Sequence, residues 1–199
     1  YDTQYSKESV MAYAVGRFVS ETRSDDKYVM EVVELLKNWD LKADADSRAA
    51  ALAIMIFPLT FKFDDYTHDL DVINERLQNA ITNLRKYFGR VDVRLGDVQR
   101  LIRGDTDLPL AGGPGVLRAI YAPWNNGKMV ASAGDCYFQI VEWDPEGNVS
   151  AESVHHFGTA IQDQGSPHYD DQSLLFSNQK MKPVWMNMDD ILQNLEREY

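Results

Sequence analysis

Apolar residues recur at helical spacing through the first ninety positions, and that rhythm stops at Gly89. Val10, Met11, Ala14, Val15 and Phe18 predict an opening helix with one buried stripe. Val29, Val32, Val33 and Leu36 predict a second, near Tyr28 to Trp39. The stretch DSRAAALAIMIF is apolar nearly all round, which predicts a buried helix capped by Asp46 or Ser47 and ended or kinked at Pro58. Leu70, Ile73, Leu77, Ile81, Leu84 and Phe88 form the longest stripe, with Asp69 at the N-cap position and Gly89 at the C-terminal end. Such a stripe is read as core packing.

Strand signals follow. Val116 to Tyr121 and GKMVASAG are short strand candidates, and CYFQIVEWDPEGNVSAESVHHFG reads as a hairpin turning at DPEGN. Cys136 to Trp143 carries apolar side chains on both faces, which predicts a strand covered on both sides, with helices of the first half over one face and further chain over the other. The expected fold class is α+β, a helical first half followed by antiparallel strands. The expected division is a mainly helical region, 1–96, and a strand-rich region with a carboxyl-terminal tail, 97–199, together one structural unit.

Charge narrows the function classes. The formal net charge of the 199 residues is −11, with no basic run, so nucleic acid and anionic membranes are disfavoured partners. No run approaches the ~18 apolar residues of a membrane span, so no membrane insertion is expected. Cys136 is the one cysteine, so no internal disulfide exists, and a buried structural role is expected for it. The chain starts at Tyr1, and the natural product is expected to begin upstream.

Candidate chemistry is sparse. AGGPG, residues 111–115, lacks the Lys-Ser/Thr ending of a phosphate loop and reads as a tight turn allowing close backbone approach. His155 and His156 are adjacent on a strand, point to opposite faces and do not chelate one ion together. Carboxylate pairs at Asp25 and Asp26, Asp64 and Asp65, and Asp170 and Asp171 lack the spacing of a calcium loop. No metal site is assigned. The densest polar run is GSPHYDDQ, residues 165–172. Ser166, His168, Tyr169, Asp170, Asp171 and Gln172 offer donors and acceptors that tie down irregular backbone. A catalytic or ligand contact and a metal site are the weaker alternatives for the same run. A hydrolase built on Ser166, His168 and Asp171 is disfavoured, because triads are defined by spatial roles and not by proximity along the chain.

HHFGTAIQDQGSPHYDDQSLLF resembles the carboxyl-terminal signature of the penicillin amidase family of N-terminal-nucleophile hydrolases. LLKNWDLKADADSRAAAL, GDVQRLIRGDTDLPLAGGPGVLRAIY, the hairpin stretch and KPVW resemble family blocks in the same order, and the acyl-homoserine-lactone acylase branch is the most similar. The resemblance implies a carboxyl-terminal part of an αββα hydrolase core. In that family a precursor is cut, and the new N-terminal serine acts as nucleophile with its own amino group, of pKa ~8, as base. Tyr1 does not fit that role, so no catalytic residue is carried over, and the isolated chain is expected to be inactive. The implied substrate is a small-molecule linear amide, an N-acyl-homoserine lactone or a penicillin-type side chain. The implied partners are the upstream part of the catalytic chain and the smaller chain. No cofactor is expected; the resemblance allows calcium, bound by some family members, in the complete enzyme, and no residue here is assigned to it. The implied location is periplasmic or secreted. The alternative is a non-catalytic α+β binding or assembly module on an acylase-like scaffold.

Overall fold

The structure, a computed structural model, describes residues 2–58 and 69–195. His68, Asp64 and Asp65 lie outside the described residues. Among the described residues, four helices build the first half: α1 (Val10–Glu21), α2 (Lys27–Lys37), α3 (Arg48–Ile56) and α4 (Leu70–Phe88). Each starts where a side chain accepts otherwise orphaned amide N–H groups: Ser9, Asp26, Ser47 and Asp69 in turn. Such a cap contributes about 1 kcal/mol. Ser47, not Asp46, is therefore the cap of α3. Gly89 ends α4 in the left-handed conformation, φ 73°, with Arg85 and Lys86 in the last turn facing the negative end of the dipole.

The apolar stripes meet as expected. Met11, Val32, Leu52, Ile56, Leu77 and Leu84 are all buried in one cluster. Val10 and Leu70 depart from their stripes and are exposed, since each is the first residue of its helix, beyond the packed length.

The rest of the chain is strand-rich, with short helices. One turn of helix, α5 (Leu95–Val98), leads into β1 (Gln99–Arg103) and β2 (Thr106–Pro109). Then come β3 (Ile120–Tyr121), β4 (Trp124–Asn125), β5 (Lys128–Val130), β6 (Ala133–Gly134), β7 (Tyr137–Trp143) and β8 (Val149–His155). Helix α6 (Ser173–Ser177), β9 (Lys182–Pro183) and α7 (Met188–Gln193) close the described chain. The expected strand over 116–121 shrinks to its last two residues.

Among the described residues three sheets result, ordered β2-β1-β5-β4, β3-β6 and β7-β8-β9. Pairing is antiparallel in the hairpin, where Tyr137 faces His155 and Trp143 faces Val149. The first sheet is mixed, because β1 runs parallel to β5. The class is α+β, with helices first and antiparallel strands after them.

Two compact units are present. The first comprises residues 1–102 and 107–134; the second comprises 103–106 and 135–199. The first unit holds the whole apolar cluster. The glycine run matters there. Gly112, at φ 101°, would place a Cβ 2.5 Å from the Arg118 carbonyl, and Gly113 one 2.9 Å from the Tyr5 hydroxyl. Buried Arg118 pairs with Asp2 at 2.7 Å, and buried Gln99 donates to the Leu110 and Gly112 carbonyls. AGGPG is thus a close-packed turn. Among the described residues, no helix is long and apolar enough to cross a membrane.

Candidate functional site

The run 165–172 lies in the second unit, where two irregular segments lace together. Hairpin β7–β8 delivers the first, His156 to Ala160; the second ends at the start of α6. Two backbone bonds and one side-chain bond join them: Gln172 N–H to the Phe157 carbonyl (2.8 Å), Ala160 N–H to the His168 carbonyl (3.0 Å), and the Ser173 hydroxyl to the His156 carbonyl (3.3 Å). The approach needs Gly158. A Cβ there would lie 2.1 Å from the His168 carbonyl oxygen and 2.6 Å from an Asp171 carboxylate oxygen. Only a residue without a side chain leaves room.

The polar residues then find their partners. Ser166 Oγ accepts from the His168 amide at 3.2 Å, and the Ser166 carbonyl accepts from the Tyr169 amide at 3.1 Å. His168 Nδ1 lies 2.9 Å from Asp171 Oδ2, with both side chains partly solvated, so this pair contributes little by itself. Asp170 accepts the Thr106 hydroxyl proton and, through its carbonyl, the Ser173 amide. Tyr169 faces Arg103, whose guanidinium carbon sits 3.8 Å from the Tyr169 ring centre and 4.6 Å from that of Phe157. The same guanidinium donates to the Ile161 carbonyl. A planar cation between two rings suits arginine better than lysine.

Buried Gln172 has the most specific contact. Its Oε1 accepts the His155 amide at 2.9 Å. On β8, alternate residues face away from β7; Ala151 there meets Val184 of the β9 side at 2.8 Å. Ala151 accepts there from the Val184 amide; His155 is the next residue of that phase beyond the end of β9, and for its amide the glutamine side chain takes the place of a strand.

Arg103, Thr106, Phe157 and Gly158 were not singled out as partners by sequence reasoning. Arg103 and Thr106 lie more than fifty residues from the run they meet. Gly158 carried a readable signal: a lone glycine at a strand end marks close backbone approach.

The histidines separate, with His155 the last residue of β8 and His156 just beyond it rather than on the strand as expected. His155 stacks beside Tyr137, ring centres 4.8 Å apart, and His156 lies 3.8 Å from Phe157. Burial lowers the His156 pKa below 6.5, with help from neighbouring His155 and Arg103 and against its bond to the Cys136 carbonyl. A carbonyl only accepts, so Nδ1 carries the proton. Cys136 is exposed, contrary to the buried role expected of it. It precedes β7 at the rim of the sheet, and its backbone, not its thiol, is what the structure engages. Within these residues β7 is not covered on both faces: Tyr137, Ile140 and Trp143 are 44, 50 and 69% exposed. Phe138 meets Phe176 of α6, and that cover does not extend along the strand.

The two roomier of the cavities described in the first unit differ in their walls. One, about 780 Å³, is an open groove with Trp39, Glu31, Glu34, Arg48 and Asp92 in its wall. The other, about 410 Å³, is lined by Ile54, Met55, Tyr121, Trp124 and Met129 among others. Neither is lined by residues 165–172. Among the described residues, no group of three or more His, Cys, Asp or Glu is placed to hold a metal ion.

The fold and the laced loop define an α+β chain whose densest polar motif is bound up in hydrogen bonds to its own backbone. A family model described as penicillin amidase matches residues 2–193, and the chain belongs to the penicillin amidase family. Acyl-homoserine lactone acylase PvdQ of Pseudomonas fluorescens is 34% identical over 90 residues, covering 43% of this chain and 11% of that protein. The aligned part thus spans about a tenth of the length of that relative.

Proposed function

We propose that this chain is the carboxyl-terminal part of an amide hydrolase, an acylase of the N-terminal-nucleophile type. It would help build the αββα core of an enzyme that cleaves a linear amide such as an N-acyl-homoserine lactone or a penicillin-type side chain. The observation carrying the reading is the family match over residues 2–193, joined to a relative of which only 11% is aligned. In this reading the nucleophilic serine and its amino-group base lie outside these residues, and the partners are the other parts of the acylase. The enzyme works in the periplasm or outside the cell. The run 165–172 acts as a tether: Gln172, Asp170 and Asp171 hold α6 and the end of β8 in place and do not touch substrate. That role is supported by partners that are backbone groups and neighbouring side chains of the second unit.

The test has two parts. The parent gene and the mass of the native protein should reveal a longer precursor with an internal processing junction before a serine. The isolated chain should then fail to turn over N-acyl-homoserine lactones or penicillins that the parent protein hydrolyses. Robust turnover by the isolated chain places the nucleophile within it and overturns the reading. A native protein of 199 residues with no precursor favours a non-catalytic module instead.

A further inference from the structure

Strand β7 is the outer strand of its sheet, and its open edge is unusually bare. The phase of the hairpin is fixed at both ends, by Asp144 N–H to the Asn148 carbonyl and His156 N–H to the Cys136 carbonyl. Even-numbered residues from Cys136 to Glu142 therefore turn their backbone groups toward β8. Tyr137, Gln139, Val141 and Trp143 turn theirs away. Among the described residues, no backbone group of these four has a partner on that side. The other edge of the sheet is closed by β9 and, beyond it, by Gln172.

Open edges are normally blunted by lysine, proline, a bulge or short length. This edge is seven residues long, reads YFQIVEW, and carries one charged side chain, Glu142, but no lysine, proline or bulge. Tyr137, Trp143 and Val149 share one face of the hairpin and are exposed; Ile140, on the other face, is exposed as well. Bare polar backbone flanked by apolar side chains on both faces is the surface that an added strand covers.

We propose that the outer edge of β7 is a strand-addition site, occupied in the assembled acylase by an extended segment of that enzyme lying outside these residues. The inference rests on the reading of the chain as part of a larger acylase. The aligned relative is many times longer than the matched stretch, which supplies the occupant. A second copy of this chain is the poorer fit, because two bodies of formal charge −11 repel, and Glu142, Asp144 and Glu146 lie on or beside the strand.

Amide hydrogen exchange in the isolated chain and in the full parent protein tests this. The Tyr137, Gln139, Val141 and Trp143 amides should exchange roughly 100-fold more slowly in the parent. The Ile140 and Glu142 amides, already bonded to β8, should be protected in both. Val141→Pro removes one outward N–H and no β7–β8 bond. It should cut recovery of assembled parent enzyme at least about tenfold while leaving the melt of the isolated chain in place; Val141→Ala, which keeps the amide, should assemble. Equal exchange of the four amides in both proteins overturns the proposal while leaving the larger enzyme intact. Slow exchange in the isolated chain that grows with concentration, together with a dimer mass, assigns the edge to a second copy and also overturns it. Absence of any longer parent chain is read from the gene and the native mass, and it removes the underlying reading before exchange is measured.

Discussion

In the first unit Leu52, Ile56, Leu77 and Leu84 are sealed among other apolar side chains of four capped helices. In the second unit, described residues from 135 onward bury only Ala151, Val154 and Phe176 as hydrophobic side chains, beside the polar Ser153, Gln172 and Ser173. Non-directional burial tolerates small adjustments and is strong in proportion to area. A hydrogen-bonded loop is specific in geometry and fails when one partner is removed. The first unit is thus built for bulk stability, and the second for holding a particular backbone path.

The largest expected effect lies in the first unit. Leu52→Ala, at a fully buried site, should destabilise it by about 2–5 kcal/mol. Residue-resolved hydrogen exchange should show the loss on α1–α4 and not on β7–β8. Loss spread equally over both units breaks the comparison.

Gly158→Ala should come next, at about 3 kcal/mol, because the added methyl collides with a backbone carbonyl that has no side-chain freedom. Its loss of protection should be confined to 156–177 and the ends of β8. Gln172→Ala should cost about 2 kcal/mol by leaving the buried-side His155 amide unpaired. Gln172→Glu keeps an acceptor oxygen and should recover part of that loss; no recovery would mean that packing, and not the hydrogen bond, is what the glutamine supplies.

Acid should separate the units last and least. The fold holds His156 neutral, with its pKa below 6.5, so its contribution is full above 6.5 and is lost as pH falls through the lowered folded value. In the first unit, burial would raise the Asp107 pKa, but bonds from Lys128 and Arg100 outweigh it and lower the value below 3.8. Its contribution is present above 3.8 and is lost only as pH falls through that lower value. Exchange measured from pH 7 down to 5 should therefore show weakening on the second unit alone.

The four long helices are legible from their apolar period, joined by a readable cap at Ser47 for α3 and at Asp69 for α4; the caps Ser9 and Asp26 emerge only in the structure. Helix α5, strand β9 and helices α6 and α7 were not, being four, two, five and six residues long, too short for a period to show. The apolar side chains on both faces of β7 predict two-sided burial that these residues alone do not supply, since sequence displays which side chains are apolar and not which are covered. In the candidate site, the donors and acceptors of residues 165–172 were visible as chemistry. Their partners Arg103 and Thr106 were not, because nothing local links positions so far apart along the chain.

The glutamine at the end of β8 has one more consequence. Continuing the β8–β9 register would bring Lys180 opposite His155, but the Lys180 amide bonds to the Leu175 carbonyl and the His155 amide is already taken. Strand β9 cannot creep toward that end without evicting Gln172, and evicting Gln172 pulls its own amide from Phe157. Sheet alignment and loop closure therefore form one latch: a slip in either springs both, so they are expected to lock in a single kinetic step.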